Sequence, residues 1–170
     1  NTILFEQLTR YSPEDLSPSP MLATDWNAES DGLAWNFNLR DDVLWSDGEP
    51  FGPADVAFTF NDVVKNPDLG AQSADQFAAV DWVEITGDNS VRFVLNKPFS
   101  ALPYYLASFA GILPAHVLKD AENPLTVASF NKEKPITTGA YKVAESVPGS
   151  YVRLIPNELY YGQTPKLAGI

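Results

Sequence analysis

Leu33, Trp35, Phe37 and Leu39 alternate with Ala34, Asn36, Asn38 and Arg40 along the chain. A period of two sets one face of a strand on a core, so the spacing predicts a strand over 33–40. Ser46-Asp47-Gly48-Glu49-Pro50 comes next, and its Asp-Gly step and proline supply a tight turn. The period then changes. Val56, Phe60, Val63 and Val64 recur at helical spacing, with Ala57 and Phe58 widening the stripe. Gly52 stands as N-cap, Pro53 at the first helical position, and Asp55 where a carboxylate complements the positive helix end. The helix is expected to end at Asn66-Pro67-Asp68, because a residue before proline is steered away from helical angles.

Two β-rich runs, 81–86 and 90–95, flank Gly87-Asp88-Asn89 and predict a hairpin. Leu102, Tyr105, Leu106 and Phe109 predict a short helix with Pro103 in its first turn, and Pro114 opens another through Val117 and Leu118. Residues 123–135 read as connecting loop. Strands at 141–145 and 151–155 close the chain about a Pro148-Gly149 turn. The fold class expected is α+β, with a mixed, largely antiparallel sheet and short helices, and without repeats. The last strand pair is marginal alone, so its edges are expected to be covered by the main unit or by self-association with a second chain.

Composition narrows the function classes. With 45% hydrophobic residues over 170 positions, the chain can bury a core of its own. No apolar run approaches the roughly 20 residues that a helical bilayer span needs. Eleven basic against twenty-two acidic residues leave a net charge of −11, which repels phosphate backbones and argues against nucleic acid as a partner. The absence of cysteine removes thiolate nucleophiles and zinc-thiolate sites together. The chain starts at Asn1 with no charged-then-apolar segment before it, and is expected to be part of a longer protein.

Chemistry is weakly signalled. A Ser-His-Asp triad would have to be built on His116, the one histidine, which is expected to face solvent or cap its helix. Asp41, Asp42, Asp47 and Glu49 are the densest carboxylates, but they lack the spacing of a calcium loop and are explained as turn residues. No glycine-rich phosphate loop is present. No cofactor is expected, and the chain is read as a non-enzyme. The aromatic residues remain. Trp26, Trp35, Trp45, Trp82 and the pairs Tyr104-Tyr105 and Tyr160-Tyr161 are suited to stacking on a sugar or peptide side chain, and most are more simply core, the paired tyrosines less so. A glycan-binding or glycan-active β-rich module is therefore the alternative function.

Several segments, read in order, resemble the extracytoplasmic solute-binding proteins of the peptide and nickel ABC importers, family 5. They are Leu4-Phe5-Glu6-Gln7-Leu8-Thr9-Arg10-Tyr11, Pro20-Met21-Leu22-Ala23-Thr24-Asp25-Trp26, and the stretch from Asp31 through Val43-Leu44-Trp45-Ser46-Asp47-Gly48-Glu49-Pro50-Phe51 to Phe60. Thr138-Gly139-Ala140-Tyr141-Lys142 and Asn157-Glu158-Leu159-Tyr160-Tyr161-Gly162 resemble two later landmarks. Gly52 departs from the Thr or Ser usual at the cap, and Glu158 from the usual Pro or Asp.

The resemblance implies a two-lobe clamp with a hinge, working outside the cytoplasm and closing on a small solute, a peptide in the first instance, for delivery to a membrane permease. Residues 1–130 would be the smaller subdomain of the first lobe, and residues 131–170, with strands from 136 on, part of its larger subdomain. The second lobe, which shares the solute, would lie outside this chain. The loop at 69–73 and the segment 108–111 would face the cleft, which makes Ser73, Ser108, Phe109 and Ala110 the candidate ligand-binding residues.

Overall fold

The computed structural model describes residues 3–170, so Asn1 and Thr2 of the opening segment lie outside the described residues. Among these, the central sheet has four strands in the order β3 (Ala23–Ala28), β4 (Ala34–Leu39), β6 (Ser90–Leu95) and β5 (Val80–Gly87), each pair antiparallel. The alternation in β4 holds from Trp35 onward, while Ala34 on the opposite face is also buried. Phe37 and Leu39 are buried and Trp35 packs half-buried against the same core, with Trp35 opposite Phe93 and Phe37 opposite Val91. Leu33 departs from the expected strand face. It lies just before β4 and is 40% exposed. The hairpin turn between β5 and β6 is tighter than expected, since Gly87 is still in the strand.

The expected helix starts where its cap residues place it, as α1 (Pro53–Ala57), but it does not continue as an α-helix. Residues Phe58–Val64 widen into a π-helical turn that ends with the Lys65 N–H on the Phe60 carbonyl, five residues back. Thr59 supplies a reason, because its hydroxyl donates to the Asp55 carbonyl one turn earlier at 2.7 Å, a back-bond that bends helices. The widened turn buries two faces. Val56, Phe60 and Val64 enter the main core, where the Phe60 ring meets Phe93 at 4.9 Å and Phe77 at 5.1 Å. Phe58 and Val63 enter a second cluster with Ala115, Leu118 and Phe130.

Asp55 does more than complement a helix end. Its carboxylate is buried and accepts the Gly52 N–H at 3.0 Å, the Trp45 indole N–H at 3.2 Å and the Ala115 N–H at 2.8 Å. It thus ties the Trp-Ser-Asp-Gly turn to α3 (Ala115–Leu118). Gly48 occupies that turn at φ 97°, a left-handed conformation costly for any residue with a Cβ. Burial raises the Asp55 carboxyl above the usual aspartate range, against the lowering effect of these hydrogen bonds.

Trp82 is a correction to the reading of the tryptophans as core. It is 46% exposed, with its indole N–H donating to Glu84 at 2.9 Å. Trp82 and Val83 are adjacent and therefore on opposite faces of β5, and the smaller Val83 takes the buried one. Trp45 is fully buried, and Trp26 packs half-buried on the core. Three further strands were not expected: β3, and the antiparallel pair β1 (Thr9–Tyr11) with β2 (Pro18–Pro20). Residues 123–135 hold two helical turns, Pro124–Thr126 and Ser129–Glu133, instead of plain loop.

The closing hairpin, β7 (Tyr141–Val147) and β8 (Tyr151–Pro156), is stitched to the start of the chain. Gly139 N–H donates to Leu4 O at 2.8 Å and Tyr141 N–H to Ile3 O at 3.0 Å. On the other edge, Leu154 and Ile170 exchange backbone hydrogen bonds at 2.9 and 3.1 Å. Ser46 and Thr137 are also joined, by the Ser46 N–H to the Thr137 carbonyl at 2.8 Å and the Thr137 N–H to the Ser46 hydroxyl at 3.1 Å.

Candidate functional site

Two separate stretches of chain converge beside the widened helical turn. The first is the loop after Val64. Asn66 caps it, its side-chain oxygen accepting the Asp68 N–H at 3.0 Å, and Gly70 turns it at φ 60°. Phe77, fully buried against Phe60, holds its far end. Residues 70–73 are thus pinned at both sides and presented outward.

The second stretch leaves α2 (Leu102–Leu106) through Ser108, Phe109, Ala110 and Gly111. The Phe109 ring leans on Tyr105 at 5.3 Å and stays 47% exposed. A Cβ on Gly111 would approach the Phe5 Cβ to 3.1 Å, so a glycine lets this segment run against the first residues of the chain. Beyond it, the Ile112 N–H donates to Glu6 O at 3.0 Å and the Leu113 N–H to the Thr59 hydroxyl at 2.9 Å. The Thr59 hydroxyl, donating to Asp55 and accepting from Leu113, belongs to the frame.

Together they enclose a concavity of about 460 Å³, within the range of small-molecule sites. Thr59, Val63 and Val64 form its floor, and Gly70, Ala71, Gln72 and Ser73 one wall. Phe109, Ala110, Gly111 and Leu113 form the other, with Leu125 at its margin. Three of the four candidate residues therefore meet on one surface: Ser73, Phe109 and Ala110. Ser108 does not line it. Its hydroxyl shares a 2.7 Å hydrogen bond with the Tyr11 hydroxyl, which also donates to Tyr104 O at 3.2 Å. Gln72 lies in the 69–73 loop expected to face the cleft, whereas sequence reasoning missed Thr59, Val63, Val64, Leu113 and Leu125. The helical stripe assigned the two valines to core, where both are buried; that they also back a pocket comes from the packing of the 70–73 loop and the 109–111 segment beside them.

A larger concavity, of about 600 Å³, lies elsewhere, among Arg10, Arg40, Tyr160, Tyr161 and Gln163. Arg40, Tyr160 and Tyr161 are committed to other groups of the chain. Arg40 binds Asp42 through two hydrogen bonds, at 2.8 and 2.6 Å, and its guanidinium sits 4.4 Å over the Tyr161 ring. Both tyrosyl hydroxyls donate to Glu6, which is almost wholly buried. Burial pushes the Glu6 carboxyl up to about 7, despite those two hydrogen bonds, and burial next to Glu6 also pushes the Tyr161 hydroxyl up. This is a joint between the two ends of the chain.

The remaining candidates separate as their surroundings dictate. His116 is exposed and lies 2.8 Å from Asp47, bracing the Asp47-Gly48 turn against α3. Asp47 also accepts the Glu49 N–H, and Asp42 is taken by Arg40. The aromatic basis of a glycan site is scattered, with Trp45 inside the core and Trp82 on the outer face of β5.

Residues 17–170 match the family described as bacterial extracellular solute-binding proteins, family 5 Middle. The nickel-binding periplasmic protein of Escherichia coli is 30% identical over 174 residues, which take in 99% of this chain and 31% of that protein. The probable peptide-binding protein YejA of Agrobacterium fabrum is 29% identical, over 95% of this chain and 26% of its own length. Among solved structures, NikZ of Campylobacter jejuni in complex with Ni(L-His) superposes with a TM-score of 0.88 at 36% identity, covering 99% of this chain and 33% of NikZ. The oligopeptide-binding protein AppA of Bacillus subtilis, in complex with a nonapeptide, superposes at 0.87 with 27% identity and the same coverage. The chain thus spans about a quarter to a third of the length of the relatives it matches.

Proposed function

Since this chain belongs to the bacterial extracellular solute-binding proteins of family 5, we propose that it forms part of the first lobe of a two-lobe clamp that captures a peptide or similar solute outside the cytoplasm and hands it to the permease of an ABC importer. Proteins of this family are described by what they bind, and the role proposed here is capture without turnover. Residues 1–130 would serve as the smaller subdomain and 131–170 as part of the larger one.

The observation that supports this reading most is the convergence of the 70–73 loop and the 109–111 segment on one concavity with a rigid frame behind it. Ser73, Phe109 and Ala110 would face the solute. Ser108 would act at the rim, holding Tyr11 and the end of α2 in place. A surface open on one side fits a site completed by a second lobe, and closure would be selected by contacts made only when both lobes meet the solute.

Native mass spectrometry of the full-length protein, purified without denaturation, tests the proposal. A small solute is expected to travel with it, to be released intact on unfolding, and to rebind. A solute recovered in chemically altered form after incubation would overturn the reading.

A further inference from the structure

No charged side chain lines the concavity among the described residues. In a chain with 33 charged residues among 170, by 11 + 22, a pocket wall of twelve residues without any is a selective surface. Its only polar side chains are Thr59, Gln72 and Ser73, and the Thr59 hydroxyl is already spent on Asp55 and Leu113. The nearby Lys65 turns its ammonium to the Phe77 carbonyl, at 3.5 Å. The exposed apolar surface is the Phe109 ring, Leu113 and Leu125, relieved by alanine and glycine and backed by the buried Val63 and Val64.

We infer that this wall receives an apolar, uncharged residue of an oligopeptide, and that it discriminates against acidic and basic side chains and against carboxylate-rich metal chelates. The inference rests on the solute-capture reading and adds the class of solute. A carboxylate seated against Phe109 and Leu113 would surrender hydration on this side with no cation of this wall to replace it, and an ammonium would find no anion here. An aliphatic or aromatic side chain meets the opposite situation, since it leaves water for a surface of its own polarity. Gln72 and Ser73 offer donors and acceptors that match main-chain amides and add no net charge.

The experiment is isothermal titration of the full-length protein with tetrapeptides that differ at one position, carrying leucine, glutamate or lysine there, scanned over the four positions. A nickel–histidine chelate and a polycarboxylate iron chelate serve as further probes. At one position leucine is expected to bind at least about a hundredfold more tightly than either charged residue. Phe109→Ala should reduce that leucine preference about tenfold or more, and Gln72→Arg should shift the preference at the same position toward glutamate. Circular dichroism would confirm that both variants are folded. Equal affinity for leucine, glutamate and lysine at all four positions would overturn the inference while leaving solute capture intact. So would tight binding of a chelate that weakens in Phe109→Ala, or a leucine preference indifferent to both substitutions. If no probe binds and no solute accompanies the purified protein, the capture reading falls and the inference with it.

Discussion

The Tyr161 hydroxyl donates to Glu6 Oε1 at 3.1 Å across 155 positions of sequence. Tyr160 reaches the same oxygen at 3.2 Å, so one buried carboxyl receives two hydroxyls from the far end of the chain. Burial pushes that carboxyl from 4.5 up to about 7. A folded pKa above the unfolded one means that the protonated form contributes stability. That contribution is complete below about pH 4.5 and is lost as pH rises through 7. The shift corresponds to about 3 kcal/mol at most. Glu6→Gln keeps an acceptor for both tyrosines and removes the charge. Thermal melts by circular dichroism should show the variant more stable than the parent sequence at pH 8, with the gap closing toward pH 4.5. An equal gap at both pH values would contradict the assignment.

Asp55 accepts three N–H groups, those of Trp45 and Ala115 buried and that of Gly52 partly so. Asp55→Ala leaves all three without their acceptor and should cost about 3 kcal/mol or more in urea denaturation. Asp55→Asn keeps one oxygen but turns an NH₂ group toward a donor, so an intermediate loss is expected. An alanine variant within 1 kcal/mol of the parent sequence would show that water satisfies these groups.

A Cβ on Gly139 would stand 2.5 Å from the Ile3 carbonyl oxygen and 2.6 Å from that of Leu4. Both are backbone atoms, so the strain is relieved only by moving the opening segment off the closing hairpin. Gly139→Ala should therefore destabilise by roughly 2–4 kcal/mol. It should also speed proteolysis near residues 3–8, read by mass spectrometry of limited digests.

Phe109→Ala separates stability from binding. The ring is 47% exposed and rests on Tyr105, so its removal should lower the unfolding free energy measured in urea by no more than about 1 kcal/mol. Solute affinity of the full-length protein should nevertheless fall about tenfold. A large stability loss with unchanged affinity would make Phe109 a packing residue.

Under the clamp reading, residues 1–170 alone should bind the solute at least about a hundredfold more weakly than the full-length protein. Two or three opposing hydrogen bonds to charged groups, at ~1.5–3 kcal/mol each, already exceed that factor. Parallel isothermal titrations measure it, and comparable affinities would place the whole site within this chain.

How legible the molecule was in its sequence depended on the range of the forces involved. The strand about Phe37, the Asp47-Gly48 turn, the start of α1 at Pro53 and both hairpins follow from local periodicity and turn chemistry, and all are present. The π-helical turn after Ala57 was not legible, because the apolar stripe alone does not show whether the Thr59 hydroxyl will turn back onto the Asp55 carbonyl, as it does here while also accepting the N–H of Leu113, 54 positions away. The outward side of Trp82 was not legible either, since two adjacent apolar residues leave the buried face undecided until the sheet is packed. For the site, Ser73, Phe109 and Ala110 came from resemblance. Their meeting with Val63 and Val64 is a product of tertiary packing that no local pattern carries.

The stitching of residues 3–6 to residues 139–161 also sets an order of events during synthesis. At a translation rate of about 5–20 residues per second, roughly 8–30 s separate the appearance of Glu6 from that of Tyr161, 155 positions later. For most of that interval, until Gly139 and Tyr141 have emerged, the Ile3 and Leu4 carbonyls lack the strand that will pair with them, and Glu6 is still hydrated and ionised at neutral pH. The opening segment of the chain is thus among the last to find its place. A nascent chain of this sequence should stay open to export factors and holding chaperones until the Tyr160-Tyr161 pair has been delivered.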